Sequence, residues 1–369
     1  MATSEWKFDF GIGDAAAGYT KVTADCGYDQ AQGYGFTDVS RVTTRDRKAP
    51  DALKRDLCIP ADTSFRVDLP NGNYTVSILM GDWIVPACTT LKASPGRLLL
   101  HLHSVSAGQF VRETVAVYVR DGQMNLTFSG PAPRVNALEI LAAPHAINLF
   151  LAGDSTVTDQ PEDGFPYAGW GQMLPKYLKH DVFVANHAMS GRSSKSFIDE
   201  GRLEAIWQEM KADDYLFIQF GHNDQKPDEE RFTDPSTTYK RYLQQYIDGA
   251  RSRGAHPVLV TSVHRRFYEE NGQLMNTHGP YVESVRELAA EQGVPLLDLA
   301  VMSKNLFEEI GEEEAKSLFM WGAPGEFAQF PGGIEDNTHF QEQGAIRIAE
   351  LVVSGIRQAR IWPLTMYLR

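Results

Sequence analysis

Ile147-Asn148-Leu149-Phe150-Leu151-Ala152-Gly153-Asp154-Ser155-Thr156 is the stretch on which the fold turns. Its apolar run, closed by a glycine and a small polar turn, reads as a strand buried on both faces with a serine just past its carboxyl end. A strand with one wet face would alternate instead. The same texture returns at 182–186, 215–220, 258–262 and 294–299. Amphipathic stretches lie between these runs at 169–179, 194–210, 238–253 and 281–292, and 342–359 closes the chain. Buried strands alternating with helices predict a parallel sheet of about five strands, doubly wound because right-handed crossovers put helices on both faces. Ligands bind such sheets outside the carboxyl ends of the strands, and Ser155 occupies one of those ends.

Upstream the texture differs. Lys7-Phe8-Asp9-Phe10, residues 64–69, 73–80, 97–103, 113–119, 124–128 and 135–141 are short strand patterns. Turns such as Pro70-Asn71-Gly72 separate them, and no convincing helix interrupts them. That pattern predicts an antiparallel β-sandwich. Ala142-Ala143-Pro144-His145 reads as a linker, giving a sandwich domain at 1–143 and an α/β domain at 146–369. A length of 369 residues exceeds one typical core and agrees with two domains.

Composition narrows the function classes. Hydrophobic content of 43% and charged content of 22% are those of a water-soluble globular chain. A formal net charge of −13 repels phosphate and argues against nucleic-acid binding. No apolar run approaches the roughly 20 residues that span a bilayer, so no membrane partner is expected. Met1-Ala2-Thr3-Ser4-Glu5-Trp6-Lys7 has no apolar signal core. The expectation is a cytoplasmic protein, or a secreted one if a signal peptide has been removed. Cys26, Cys58 and Cys88 suit neither a disulfide framework nor a zinc site. Buried free thiols are expected, with a Cys26–Cys58 bridge open to an exported protein. His101 and His103 share one strand face without a third ligand at a suggestive spacing, and read as surface or packing residues. The acidic run 308–314 reads as a solvated helix end.

The chemistry is spread over several strand ends. Alone, Ser155 would be a turn or N-cap residue, because a serine hydroxyl is a weak nucleophile without a base. Asp336-Asn337-Thr338-His339, taken as one loop, puts a carboxylate where it can hold one imidazole nitrogen while the other faces Ser155. Gly191, in the loop after the second α/β strand, frees a backbone N–H to approach a ligand. Asn223, in Gly221-His222-Asn223-Asp224, can donate its amide to a developing oxyanion. Each residue has a bland alternative as a turn, an Asx-turn or a helix cap. Their coincidence at successive carboxyl ends points to acyl transfer from an ester to water.

With Gly-Asp-Ser at 153–155, the glycine at 191, Gly-x-Asn-Asp at 221–224 and Asp-x-x-His at 336–339, the chain resembles the SGNH hydrolase family. That resemblance implies a flavodoxin-like, five-stranded parallel doubly wound sheet. It also implies Ser155 as nucleophile, His339 as base, Asp336 as its support, and an oxyanion hole of the Ser155 and Gly191 amides with the Asn223 side chain. Neither a metal nor an organic cofactor is implied. Residues 186–197, 221–227, 261–267, Gly272, Tyr281 and 336–340 look like the rhamnogalacturonan acetylesterase branch. The implied substrate is an acetylated pectic polysaccharide or its oligosaccharides. An esterase of another glycan such as xylan, or a noncatalytic carbohydrate-binding protein on a relict hydrolase fold, stands as the alternative. Phe10-Gly11, residues 33–36 and 69–74 are similar to a galactose-binding-like sandwich, for which a scaffold role is the expectation. A pectic substrate is anionic while the chain is acidic, so Arg192, Arg265 and Arg266, with Lys195 and Lys226, are expected to offset the field near the substrate.

Overall fold

The computed structural model describes residues 5–48 and 51–369. The chain divides into two compact units, Met1–Ala146 with Lys179–Phe183, and Ile147–Leu178 with Val184–Arg369.

The first unit contains two five-stranded sheets. Along one, Phe110–Val119 runs antiparallel to Gly72–Gly81, which also pairs with Ala137–Ala142. Glu5–Phe10 follows in order, and at that edge it pairs with Thr20–Val22 in parallel, the exception to the antiparallel pattern. The other sheet orders Tyr34–Phe36, Thr63–Asp68, Gln123–Ala132, Ala87–Ala93 and Arg97–Val105. Alternation works as expected: Thr63, Phe65 and Val67 are buried while Ser64, Arg66 and Asp68 are partly wet. Phe65 anchors the core, with its ring 5.0 Å from those of Phe8 and Phe10 and 5.4 Å from Phe36. Ala87–Ala93 is a strand that its small and polar residues conceal, since Thr89 and Thr90 are its only β-branched side chains and it has no aromatic one. A short helix, Ala52–Arg55, capped by Asp51, departs from the all-β expectation. Cys58 is buried, which pushes its thiol up to about 12. Cys26 and Cys88 are half-buried rather than buried, and all three cysteines are free.

The second unit is built on a five-stranded parallel sheet. Its spatial order is Val182–Asn186, Ile147–Gly153, Tyr215–Gln219, His256–Val260 and Leu296–Leu297. In chain order that is 2-1-3-4-5, the flavodoxin-like arrangement. Gly153 is in register with Gln219, so the turns after the first and third parallel strands leave the sheet side by side. The fifth strand is shorter than expected, because Asp298 caps the helix Leu299–Ile310, which the sequence reading did not anticipate. The stretch 194–210 forms two helices, Ser194–Asp199 and Arg202–Glu209, parted by Gly201 at φ 72°. Tyr281–Gln292 and Glu342–Gln358 form as expected. A further antiparallel sheet of Tyr167–Ala168, Ile334–Gln341 and Phe319–Gly322 lies outside the α/β pattern and carries two residues of the candidate site.

Candidate active site

The turn after strand Ile147–Gly153 is shaped by its own side chains. Asp154 Oδ1 accepts from the Thr156 amide at 2.9 Å and from the Thr156 hydroxyl at 2.8 Å. The Asp154 carbonyl accepts from the amides of Val157 and Thr158. A side chain at Gly153 would press on Val157 at 2.7 Å, so only glycine allows so tight a departure from the sheet. Gln160 Nε2 donates to the Ser155 carbonyl at 2.9 Å. The result is a nearly buried Ser155 held on a rigid turn.

Asp336 and His339 lie on strand Ile334–Gln341, not on a loop. Residues three apart on a regular strand face opposite sides. Here the register with Phe319–Gly322 jumps from Phe340↔Phe319 to Asp336↔Met320, so residues 337–339 leave the ladder. Asp336 Oδ1 accepts from the amides of Thr338 at 2.7 Å and His339 at 3.1 Å, curling the backbone around the carboxylate. The curl brings His339 Nδ1 to 2.7 Å from Asp336 Oδ2. His339 Nε2 then lies 2.8 Å from Ser155 Oγ, across 184 positions of sequence. With Nδ1–H donating to the carboxylate, Nε2 is left to accept the serine proton.

Burial alone would raise the Asp336 carboxyl. The hydrogen bond and charge of His339, with the two backbone amides, override it and hold the carboxyl far below the usual carboxylate range. Tyr167 donates its hydroxyl to Asp336 Oδ2 at 2.9 Å, and its ring stands edge-on to the imidazole at 5.4 Å. Burial, then Asp336, push the Tyr167 phenol well above its ordinary value, which keeps it a donor. No motif pointed to Tyr167: its place beside Asp336 comes from the small sheet, where it pairs with Gln341.

The backbone N–H groups of Ser155 and Gly191 have no hydrogen-bond partner among the described residues. Gly191 sits at φ 80°, in the left-handed region that disfavours side chains. Asn223, 7% exposed, donates one N–H of its amide to the Arg192 carbonyl at 3.1 Å. That bond ties the loop after the second strand to the loop after the third and leaves the second N–H of the amide for another acceptor.

The three arginines are committed within the protein. Arg192 Nε lies 3.0 Å from both carboxylate oxygens of Glu200. Arg265 donates to the Thr277 carbonyl and hydroxyl and to the His222 carbonyl. Arg266 donates to the Glu312 carbonyl and Asn337 Oδ1, with its guanidinium 5.0 Å from the Trp321 ring centre. These bonds brace the loops that carry site residues. No group of three or more His, Cys, Asp or Glu side chains that could hold a metal ion occurs among the described residues.

Residues 151–345 match the GDSL-like Lipase/Acylhydrolase family. The chain belongs to that family. It is a carboxylic ester hydrolase of the SGNH type, and its residues 6–140 match the Beta-agarase/YXIM esterase-like, galactose-binding domain-like family. Rhamnogalacturonan acetylesterase RhgT of Bacillus subtilis is 50% identical over 212 residues, 58% of this chain and 90% of RhgT. Uncharacterized esterase YxiM of Bacillus subtilis is 31% identical over 374 residues, 96% of this chain and 91% of YxiM. The crystal structure of YxiM aligns with a TM-score of 0.54 at 29% identity, covering 97% of this chain and 99% of that one. The alignment with YxiM is long enough to span both matched regions of this chain.

Proposed function

We propose that this GDSL-like hydrolase removes acetyl groups from rhamnogalacturonan, as polysaccharide or oligosaccharide, with Ser155, His339 and Asp336 as its catalytic triad. The observation that carries the reading is the Ser155 Oγ to His339 Nε2 contact of 2.8 Å, backed by the Nδ1 to Asp336 Oδ2 contact of 2.7 Å. The 50% identity to RhgT supports the pectic substrate. In the proposed reaction Ser155 Oγ attacks the acetyl carbonyl carbon as its proton passes to His339 Nε2. The oxyanion forms among the amides of Ser155 and Gly191 and the free N–H of Asn223, donors that need no rearrangement as charge develops. His339 returns the proton to the departing sugar hydroxyl, leaving an acetyl ester on Ser155. It then takes a proton from water, whose oxygen attacks the ester carbon; the bond from that carbon to Ser155 Oγ breaks, His339 returns the proton to Oγ, and acetate leaves.

The test measures acetate released from acetylated rhamnogalacturonan and from acetylated xylan, with wild type and Ser155→Ala. Preference for the pectic polymer and loss of release in Ser155→Ala are expected. Faster release from xylan would overturn the substrate, and undiminished p-nitrophenyl acetate hydrolysis by Ser155→Ala would overturn the mechanism.

A further inference from the structure

The turns that carry Ser155 and Asn223 share a second, buried acid–imidazole contact. Asp154 directly precedes Ser155 and His222 directly precedes Asn223; they are 0% and 3% exposed. His222 Nδ1 lies 3.3 Å from Asp154 Oδ2, ion-pair distance without the alignment of a well-formed hydrogen bond. The two turns leave adjacent strands at the Gly153↔Gln219 register. A chain of side chains closes the same gap from the sheet side. Trp170 Nε1 donates to Gln219 Oε1 at 2.9 Å, Gln219 Nε2 to Thr156 Oγ1 at 2.8 Å, and Thr156 Oγ1 to Asp154 Oδ1 at 2.8 Å. Asp154 therefore has one oxygen engaged with its own turn and the other turned to the neighbouring one.

His222 has little else to orient it. Its Nε2 has no hydrogen-bond partner in the protein, and its ring meets the edge of His278 at 4.6 Å and 86°. His278, itself buried, lies 6.2 Å from His264 and likewise has no protein partner at either nitrogen. This neighbourhood is packed but nearly free of directional bonds: neither ring nitrogen of His222 has a well-formed hydrogen bond, and the carboxylate oxygen placed beside its Nδ1 is Asp154 Oδ2. Arg265 holds the His222 carbonyl at 3.2 Å and fixes the backbone, not the ring. Burial, outweighing Asp154, lowers the His222 imidazole below its ordinary value, in keeping with a neutral ring.

We propose that Asp154 and His222 are a positioning pair that sets the nucleophile turn against the oxyanion turn, acting on catalysis through Asn223. The inference rests on the catalytic reading of Ser155 and Asn223. Displacing a catalytic group by about 1 Å costs on the order of 10²-fold in rate, and a donor that acts only on the transition state alters kcat rather than KM.

The experiment is steady-state kinetics on p-nitrophenyl acetate with His222→Asn, His222→Gln, His222→Ala, Asn223→Ala, His222→Ala/Asn223→Ala and Ser155→Ala. Asparagine puts an N–H donor where Nδ1 stands; glutamine, closer to histidine in volume, puts it where the unpartnered Nε2 stands. His222→Ala and His222→Gln should lower kcat by about 10–100-fold with KM within about threefold. His222→Asn should recover roughly tenfold over His222→Ala. In the Asn223→Ala background the further loss from His222→Ala should shrink below about threefold, as coupled residues are not additive. A ranking of Gln at or above Asn, a loss confined to KM, or full additivity with Asn223→Ala would overturn the pairing. Should His222→Ala fail to give a folded thermal transition, the Asn and Gln variants decide the same question. Undiminished activity in Ser155→Ala would instead overturn the catalytic reading, and the pairing with it.

Discussion

Asp336→Asn is the perturbation whose outcome the geometry constrains most tightly. An asparagine side chain could in principle enter in two orientations. Asp336 Oδ1 accepts from the amides of Thr338 and His339, so an NH₂ group there would face two donors. The amide oxygen must stay at that position. The NH₂ group is then forced into the place of Oδ2, 2.7 Å from His339 Nδ1. Two donors cannot share that contact, so Nδ1 must become the acceptor and the ring proton must move to Nε2. Nε2–H would then face Ser155 Oγ and could not take its proton. A wrong tautomer of this kind costs about 10⁴ in kcat in a serine triad, or about 5.5 kcal/mol. The Asp336 side chain retains 22% exposure, so water offsets part of the loss and about 10³–10⁴ is expected. Tyr167 can turn its hydroxyl to accept from the new amide and does not rescue the tautomer. The assay is kcat on p-nitrophenyl acetate at pH 8, with nitrogen NMR of the His339 ring to read the tautomer. A kcat within about tenfold of wild type, with the proton still on Nδ1, would refute the reasoning.

Four further outcomes are expected. Asn223→Ala should lower kcat by about 10²–10³-fold while its lost bond to the Arg192 carbonyl costs only about 1–3 kcal/mol of stability, measured by kinetics alongside a melting curve. Activity should fall on acidification, because a protonated His339 cannot accept from Ser155, while Asp336 stays ionised through that range; a pH–rate profile with no acidic limb would count against both roles. The same depressed carboxyl also bears on stability. Its contribution is present above the unfolded aspartate value of about 3.9 and is lost as pH falls towards the lower folded value, which acid titration of the melting temperature would register. Gly344→Ala should destabilise the protein despite a helix-propensity gain of about 1 kcal/mol, because the added methyl would collide with the Leu318 carbonyl; a raised melting temperature would contradict that packing.

Much of this protein is legible residue by residue. Short apolar runs such as Ile147–Gly153, closed by glycine and too short for a buried helix, read as strands covered on both faces, and the order of strands and helices then leaves few topologies. Ser155, Gly191 and Asn223 stand out only together, because each alone is an ordinary turn or cap residue. The alternating runs of the sandwich are equally plain, since a one-residue slip would turn a core face to water. What stayed hidden depends on contacts made across the chain. Asp-Asn-Thr-His reads as a loop on which acid and imidazole can meet; that Asp336 and His339 meet on a strand, through a register jump against Phe319–Gly322 that undoes its two-residue period, is not announced by those four residues. Tyr167 reaches Asp336, and His222 reaches Asp154, through the register of neighbouring strands. The acceptors of the arginines are equally hidden: Arg192 pairs with the nearby Glu200 carboxylate, while Arg265 and Arg266 reach the carbonyls of His222 and Glu312, more than 40 positions away. Local pattern determined which segments are strands and helices and which residues stand at their ends; long-range packing alone decided which of those ends touch, because hydrogen bonds of under 3 Å demand a placement that no spacing along the chain encodes.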